Sequence, residues 1–233
     1  MAKKRKKKDY NILPLSIRER VYHTFKPKTT KQEELVHSII SKDITIVKGP
    51  SGSGKTYATL ATALKLLGSK YTNIILVKSL TTVPEESVGY LRGSLEDKMD
   101  PYIMSFTWTI DKILGSKGSA KSLMDKEIIT VLPLAFARGI SIDNSIVIID
   151  EVQNLSHHTF KTIITRIGTD SKYVFMGDTE QIDRRNKSES PLETVFEIFK
   201  DSDIVGTIEF TDEDCVRNPI IPELLKTLRE NNL

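Results

Sequence analysis

One short segment constrains the fold of this chain more than any other. Residues 49–56 read Gly-Pro-Ser-Gly-Ser-Gly-Lys-Thr, which fits the pattern G-x-x-x-x-G-K-[ST]. Glycines let the backbone curl until successive N–H groups point inward at phosphate oxygens, and a helix that starts there adds its positive dipole end. A β-branched run at 44–47 precedes the segment, and a helical pattern at 57–67 follows it. This order of strand, loop and helix predicts a phosphate-binding loop in an α/β fold.

Each part of this loop has an expected role toward a nucleoside triphosphate. Lys55 brings a mobile charge to the β- and γ-phosphates, and the Thr56 hydroxyl is a ligand for Mg²⁺. The backbone before them surrounds the phosphate oxygens. The expected nucleotide-binding set is Gly49, Pro50, Ser51, Gly52, Ser53, Gly54, Lys55 and Thr56.

Two acids follow a second buried strand and supply the metal partner that such a loop needs. The run Ile146–Ile149 is apolar and β-branched, and Asp150 and Glu151 come directly after it. We expect Asp150 to hold Mg²⁺ through its water shell and Glu151 to polarise the attacking water. The alternative is an acidic pair that only closes a strand. An acid beside the metal-binding Asp favours hydrolysis over transfer to a small alcohol.

A third strand end carries the same kind of chemistry. Val174–Met176 reads as a strand, and Gly177-Asp178 and Gln181 follow it. Ligands of open α/β sheets bind at the carboxyl ends of the strands, so Asp178 and Gln181 are expected near the γ-phosphate or its water. Taken alone, Gly-Asp after a strand is usually a turn.

Arg217 and Gln32 are two further candidates. Phosphoryl transfer needs a cation to offset charge, and Arg217 is expected to supply it from its own chain or from a neighbour's. The alternative for Arg217 is an ion pair with Asp212 or Asp214. Gln32 lies far enough before the loop to reach the base, where an amide both donates to and accepts from adenine. The alternative for Gln32 is a solvated helix residue.

Composition excludes several classes of protein. The chain has 233 residues and a single cysteine, Cys215, so it has no disulfide framework and fits a reducing, cytoplasmic setting. Pro133, Arg138 and Asp143 interrupt the most apolar stretch, which runs from residue 128 to residue 149. We therefore expect no membrane partner.

The charge is concentrated at the N-terminus. Residues 3–8 are all Lys or Arg, and without them the chain has 28 Lys and Arg against 31 Asp and Glu. We expect residues 1–29 to form a basic, partly disordered arm with one short helix at 16–22, ahead of a folded domain over 30–233. The arm is interpreted as a grip on nucleic-acid phosphates, as a solubilising tail or as a localisation signal.

Strand and helix patterns alternate along the rest of the chain. They predict one α/β domain with a parallel sheet and helices on both faces. Thr30, paired with Glu33, is expected to cap a helix over 30–40, and residues 115–119 are expected to form a mobile insertion. Strands are predicted at 44–48, 73–78, 128–132, 145–149, 172–176 and 206–210, and helices at 55–67, 95–114, 157–167, 190–200 and 221–230.

Together these segments resemble the PhoH family, the phosphate-starvation-inducible ATPases related to superfamily 1 helicases. The resemblance covers about residues 30 to 222, nearly all of the expected folded body. The segments that carry it are Gly49–Thr56, Val88–Leu91 with Gly93, Leu95–Tyr102, Pro133–Gly139, Ile148–Asn154, Thr165–Gly168, Gly177-Asp178 with Gln181 and Asp183, and Asp214–Pro219.

The resemblance implies a single RecA-like P-loop ATPase domain, with ATP and Mg²⁺ as ligands. It also implies association with RNA or single-stranded nucleic acid and assembly into a homo-oligomer, namely a hexameric ring. In a ring Arg217 would act in trans, and Gln32 gains weight as an adenine contact.

The chain departs from the family pattern at two points. Arg92 stands where the family usually has proline, and Ser79 and Leu80 replace an Arg-Pro pair, so Arg92 or Lys78 is expected to take over any nucleic-acid contact of that arginine. Three functions remain open: an ATPase coupled to nucleic acid, with helicase activity as one form of it; a P-loop kinase of a small acceptor; and a nucleic-acid-binding protein that uses ATP structurally.

Overall fold

Parallel strands form one continuous sheet at the centre of the molecule. The computed structural model describes residues 15–78, 95–182 and 190–216, and residues 220, 223, 224, 227 and 230. Within them the sheet has six strands in the order β3-β2-β4-β5-β1-β6, and every pairing is parallel. The strands are β1 (Ile44–Lys48), β2 (Asn73–Lys78), β3 (Ile129–Pro133), β4 (Ser145–Asp150), β5 (Lys172–Gly177) and β6 (Val205–Glu209).

Helices cover both faces of this sheet, as the sequence predicts. Helices α1 to α5 pack on one face and helices α6 to α8 on the other, and each face has its own apolar core. The helices are α1 (Leu15–Thr24), α2 (Thr30–Ser41), α3 (Lys55–Leu66), α4 (Leu95–Leu114), α5 (Ser119–Asp125), α6 (Leu134–Ala137), α7 (His157–Ile164) and α8 (Pro191–Phe199).

The apolar run of β4 shows why the sheet is buried on both sides. Ile146 and Ile148 belong to the core under α1–α5, whereas Val147 and Ile149 belong to the core under α6–α8. Successive side chains of a strand point to opposite faces, so a continuous β-branched run serves both cores. A strand with one solvent-exposed face would show polar residues at every second position instead.

The strand order brings three functional strand ends side by side. β5 lies between β4 and β1, with Ile149 opposite Phe175 and Lys48 opposite Gly177. The carboxyl ends of these parallel strands therefore meet at one edge of the sheet, where ligands of such folds bind.

Helix α1 packs on the folded body, although the expected boundary at residue 30 set it apart. Val21 and Phe25 are buried in the core under α1–α5, and the Thr24 hydroxyl donates a hydrogen bond to the Ile113 carbonyl at the end of α4. The helix predicted at 16–22 is present and longer. The apolar residues of α1 therefore place this helix on the folded body, although a basic segment precedes it in the sequence.

The structure corrects one local prediction and adds detail to a second. Thr29, not Thr30, caps α2, because its side chain accepts a hydrogen bond from the Gln32 N–H at 3.2 Å. The 115–119 segment is a hydrogen-bonded turn, in which the Asp111 carboxylate accepts bonds of 2.7 Å from the N–H groups of Gly118 and Ala120. That turn starts α5, which the sequence patterns did not predict.

The C-terminal helix predicted at 221–230 agrees with the helical state of residues 223, 224, 227 and 230. The basic residues 3–8, and also Ser79, Leu80, Arg92 and Arg217, lie outside the described residues. In the part of the chain that the structure describes, no helix is both long enough and apolar enough to span a bilayer.

Candidate nucleotide-binding site

The loop between β1 and α3 has the backbone of a phosphate cradle. Gly49, Gly52 and Gly54 have φ angles of +144°, +94° and +82°, in the region that side chains disfavour. A Cβ at Gly49 would lie 2.5 Å from the Phe210 carbonyl oxygen, and one at Gly54 would lie 2.6 Å from Nε2 of Gln32. Glycine is therefore required by conformation and by space at Gly49, and by conformation at Gly54.

The Lys55 ammonium lies within this loop. Its Nζ donates hydrogen bonds to the carbonyl oxygens of Gly49 and Pro50, at 2.5 and 2.7 Å, and lies 3.4 Å from Oγ of Ser53. These three oxygens of the loop occupy the place around the Lys55 ammonium that the oxygens of a bound phosphate would take. A loop with three glycines at positive φ and an ammonium held within it fits a phosphate group.

Gln32 is buried against the loop and is not a solvated helix residue. Only 4 % of it is exposed, its Oε1 accepts a hydrogen bond from the Lys28 N–H at 2.9 Å, and its Nε2 donates one to the Ser53 carbonyl at 3.0 Å. It thus ties α2 to the loop. A primary amide can accept two hydrogen bonds and donate two, so Gln32 retains capacity for a ligand.

Asp150 and Glu151 stand at the carboxyl end of β4, as expected. The Asp150 carboxylate accepts a hydrogen bond of 3.0 Å from the Glu151 N–H. Glu151 has φ +59° and ψ +39°, a left-handed conformation that is uncommon for a residue other than glycine. Local backbone strain of this kind is often found at functional sites.

Gln153 is a site residue that the sequence interpretation missed. It is fully buried, and its Nε2 donates hydrogen bonds to Oε2 of Glu151 at 2.7 Å and to the Gln181 carbonyl at 3.0 Å. Its Oε1 accepts a bond of 3.1 Å from the Asp178 N–H. A Cβ at Gly177 would lie 2.5 Å from the same Oε1, so that glycine makes room for the amide. The available signal in the sequence was a glutamine two residues after an acidic pair.

Asp178 and Gln181 form the third part of the site. Asp178 is buried and accepts a hydrogen bond of 3.0 Å from the Glu180 N–H, and its carbonyl accepts one from the Gln181 N–H at 3.3 Å. The segment is therefore a turn, as Gly-Asp alone would indicate. It also carries both residues to the cavity that the loop lines.

A cavity of about 440 Å³ brings most of the predicted residues together. Its volume lies in the range of small-molecule sites. The predicted residues that line it are Gln32, Ser51, Gly52, Gly54, Lys55, Thr56, Asp150, Glu151, Asp178 and Gln181. Gly49, Pro50 and Ser53 support the loop behind this lining.

The cavity also has a wall that the motifs did not predict. Thr24 ends α1, the connection between α1 and α2 supplies Phe25, Lys26 and Lys28, and α3 and α4 add further residues. Those further residues are Tyr57, Thr109 and Lys112. Burial raises the pKa of Tyr57, so its hydroxyl stays neutral at physiological pH. The four lysines and three carboxylates of the lining suit a ligand with several negative charges and a metal ion.

The segment that leads to Arg217 touches the same loop. The Val216 N–H donates a hydrogen bond of 3.1 Å to the Gly52 carbonyl, and Val216 lines the cavity. The carboxylate of Asp214 accepts bonds from the N–H and hydroxyl of Thr211, at 2.9 and 3.2 Å. Asp214 is thus partly engaged by its own turn.

Comparison with known proteins identifies relatives of this chain. Residues 24–229 match the profile described as PhoH-like protein. A PhoH-like protein of Bacillus subtilis (strain 168) is 33% identical over 205 residues, which cover 88% of this chain and 64% of the relative. Protein PhoH of Escherichia coli (strain K12) is 30% identical over 204 residues, covering 85% of this chain and 57% of the relative. The chain thus spans roughly three fifths of the length of these relatives.

A solved structure has a similar fold. The large terminase of a thermophilic bacteriophage superposes with a TM-score of 0.53 at 11% identity, over 86% of this chain and 50% of the terminase. At that identity the likeness concerns the fold alone, and it confirms the expected RecA-like α/β architecture.

Proposed function

The chain belongs to the PhoH-like family of P-loop NTPases, and on that premise we propose that it hydrolyses ATP with Mg²⁺ and couples hydrolysis to RNA or single-stranded DNA. The observation that carries the catalytic part is the hydrogen bond from Gln153 to Glu151, a carboxylate that lines the cavity of the phosphate-binding loop. A held carboxylate at this place is suited to a general base.

The proposed roles follow from the chemistry of the side chains. The Thr56 hydroxyl and the Asp150 carboxylate would hold Mg²⁺, which when bound neutralises phosphate charge and orients the β- and γ-phosphates. Lys55 leaves the loop carbonyls for the phosphate oxygens. Asp178 fixes the turn of the third strand end through its carboxylate.

In the hydrolytic step, the oxygen of a water attacks the γ-phosphorus and the bond to the β-phosphate oxygen breaks. The Glu151 carboxylate takes the proton of that water, and the Gln181 side chain orients it. Gln32 contacts adenine through the hydrogen-bonding capacity that its bonds to Lys28 and Ser53 leave. These roles agree with the location of the three side chains in the cavity lining.

The test of this mechanism is the variant Glu151→Gln. Its amide oxygen can still accept the hydrogen bond from Gln153, so the local fold is kept while the base is lost. We expect ATP hydrolysis to fall at least about 100-fold with ATP affinity changed by less than about threefold. Glu180→Gln, which removes an exposed carboxylate from the same edge of the sheet, is the matched control and should retain activity.

Two results would contradict the proposal. Hydrolysis that survives in Glu151→Gln would exclude a base at this position. Transfer of phosphate to a small acceptor, in place of release of free phosphate, would favour a kinase.

Coupling to nucleic acid is supported by the six basic residues at 3–8. Each phosphate that such an arm neutralises releases counterions, so binding should weaken steeply with salt. We expect RNA or single-stranded DNA to raise the ATPase rate of the full chain. Deletion of residues 2–8 should flatten the salt dependence of binding, and deletion of the uncharged residues 231–233 is the control. An ATPase rate that no RNA or DNA changes would refute the coupling.

We also propose that the chain assembles into a ring, with a hexamer as the expected form, and that Arg217 offsets charge on the transferring phosphoryl group. Contact of Val216 with the P-loop of its own chain supports action in cis as an alternative to action in trans. Molar mass measured in solution with and without ATP and Mg²⁺ tests the ring. Mixing Arg217→Ala with Glu151→Gln tests the site, because only action in trans lets the two inactive proteins restore hydrolysis. Unwinding of duplexes by a single domain would need this assembly.

A further inference from the structure

The wall of the cavity beyond the phosphate-binding loop is built from aromatic and cationic side chains. Tyr57 directly follows Thr56, in the first turn of α3, and Phe25 follows the last residue of α1. Lys112, from the last turn of α4, completes this wall. The three residues are called the aromatic wall below.

The ring of Tyr57 is held from behind by Phe25. The ring centroids are 5.8 Å apart and the planes are inclined at 56°, a tilted contact of the kind that aromatic pairs prefer. Phe25 is only 3 % exposed, whereas Tyr57 is half-buried and lines the cavity. The hydrogen bond from Thr24 to Ile113 fixes α1 to α4 beside this pair. Tyr57 thus presents an aromatic surface to the cavity, and Phe25 supports it.

Lys112 lies over the same ring. Its Nζ is 5.9 Å from the ring centroid of Tyr57, and the side chain as a whole is exposed. A long flexible side chain at the mouth of a cavity can move aside for a flat ligand and then place its charge beside the ribose or the α-phosphate. Neither motion disturbs Phe25, which is packed in the core.

We propose that the aromatic wall is the nucleobase subsite of this protein, with Tyr57 stacking on the base. The inference rests on the proposed function, in which Lys55 holds the phosphates at the other end of the cavity. Stacking on an aromatic side chain depends on the area of the base more than on its hydrogen-bonding edge. The subsite therefore prefers purine over pyrimidine nucleotides by stacking area, and Gln32 adds an edge contact.

Titration of three ligands separates this subsite from the phosphate site. ATP, CTP and inorganic tripolyphosphate, each with Mg²⁺, are compared on the full-length wild-type chain by calorimetry. We expect ATP to bind at least about tenfold more tightly than tripolyphosphate, with CTP between them. Binding of tripolyphosphate with ATP no tighter would overturn the subsite and leave the phosphate site standing. If neither ATP nor tripolyphosphate binds, the proposed function itself is refuted.

Variants of Tyr57 then assign the effect to the ring. Tyr57→Leu should weaken ATP binding about tenfold, leave tripolyphosphate within about twofold and reduce the preference for ATP over CTP. Tyr57→Phe keeps the ring and should bind ATP as the wild type does. Tyr22→Leu is the matched control, because Tyr22 is 63 % exposed on α1 and does not line the cavity. An equal loss of ATP and tripolyphosphate in Tyr57→Leu, or no loss of ATP, would overturn the proposal.

Discussion

Gln153 donates a hydrogen bond of 2.7 Å to the carboxylate of Glu151, and it does so from a fully buried position. The same amide bonds the Gln181 carbonyl and the Asp178 N–H, so one side chain joins the ends of β4 and β5. A primary amide fits here because it offers two donors on one side and an acceptor on the other. Gln153 is therefore a positioning residue for the proposed base and for the turn that carries Gln181.

Replacing Gln153 by Leu should lower kcat for ATP about 10- to 100-fold and change KM by less than about threefold. The buried N–H of Asp178 loses its acceptor, which should also lower the free energy of unfolding by about 1–3 kcal/mol. Steady-state kinetics and urea denaturation measure the two effects.

A control separates positioning from loss of stability. Ser171 is buried at the opposite, amino-terminal edge of the sheet, where its hydroxyl donates to the Ile142 carbonyl at 2.6 Å. Ser171→Ala should lower stability and leave kcat unchanged. Gln153→Glu keeps an acceptor for Asp178 but sets a like charge against Glu151, so its kcat should also fall. Equal kcat in Gln153→Leu and the wild type would contradict the positioning role.

The fold class and the positions of the strands could be predicted from the pattern of apolar residues, but the order of the strands in the sheet could not. Short β-branched runs such as Ile146–Ile149 favour a strand buried on both sides, and the predicted strand positions agree with the structure to within one residue at either end. The short helices α5 and α6 were missed because four to seven residues carry too little periodicity. The packing of α1 was missed because a local charge pattern says nothing about a distant partner such as Ile113.

The site could be predicted only where a motif names a residue's chemistry. Lys55, Thr56, Asp150 and Glu151 come from spacing that phosphate and Mg²⁺ impose. Gln153 acts through other side chains, and the aromatic wall acts through the ring of Tyr57. Such contacts depend on how α1, α3 and α4 pack, which no local spacing encodes.

Gly49→Ala should abolish ATP binding and destabilise the fold. Its φ of +144° is strained for alanine, and the added Cβ would also meet the Cβ of Phe210 at 2.6 Å and the carbonyl oxygen of that residue. We expect a loss of more than about 2 kcal/mol in the free energy of unfolding. Thermal denaturation and ATP titration of the variant measure both effects.

Gly118→Ala is the matched control for this substitution. Gly118 has φ +84°, but a Cβ there would meet nothing within 4 Å. Only the strain of the left-handed backbone remains, so the free energy of unfolding should fall by about 1 kcal/mol and ATP binding should be unchanged. An equal cost for the two variants would show that contact with Phe210 is not important.

Val21→Ala tests the packing of α1 on the folded body. Val21 of α1 is fully buried in the core on that face of the sheet. Removing its two methyl groups should lower the free energy of unfolding by about 2 kcal/mol. The exposed neighbour Glu19 is the control, and Glu19→Ala should change stability by less than about 0.5 kcal/mol. Equal stability of Val21→Ala and the wild type in urea denaturation would mean that α1 is not packed in solution.

Lys48 is a buried cation immediately before the phosphate-binding loop. Its Nζ lies 2.7 Å from a carboxylate oxygen of Glu193, 3.2 Å from one of Glu209, and 4.2 Å from the ring centroid of Phe196. These contacts join β1 to β6 and α8. Both carboxylates are more than half exposed, so water can replace the ammonium around them if it is removed. Lys48→Met should therefore cost only about 2 kcal/mol at about pH 8.

The pH dependence of that cost identifies its origin. Burial lowers the pKa of Lys48, but the hydrogen bonds and charges of Glu193 and Glu209 outweigh burial and raise it above 10.5. The stabilisation is therefore complete below pH 10.5 and is lost as the pH rises through the higher pKa of the folded state. In urea denaturation, the difference between wild type and Lys48→Met should shrink above that pH. Lys65, whose pKa burial lowers, gives the opposite sign: relative to Lys65→Met, the wild type should gain stability as its ammonium loses the proton. A Lys48→Met difference that stays constant across this range would assign the cost to lost packing on Phe196 instead of to charge.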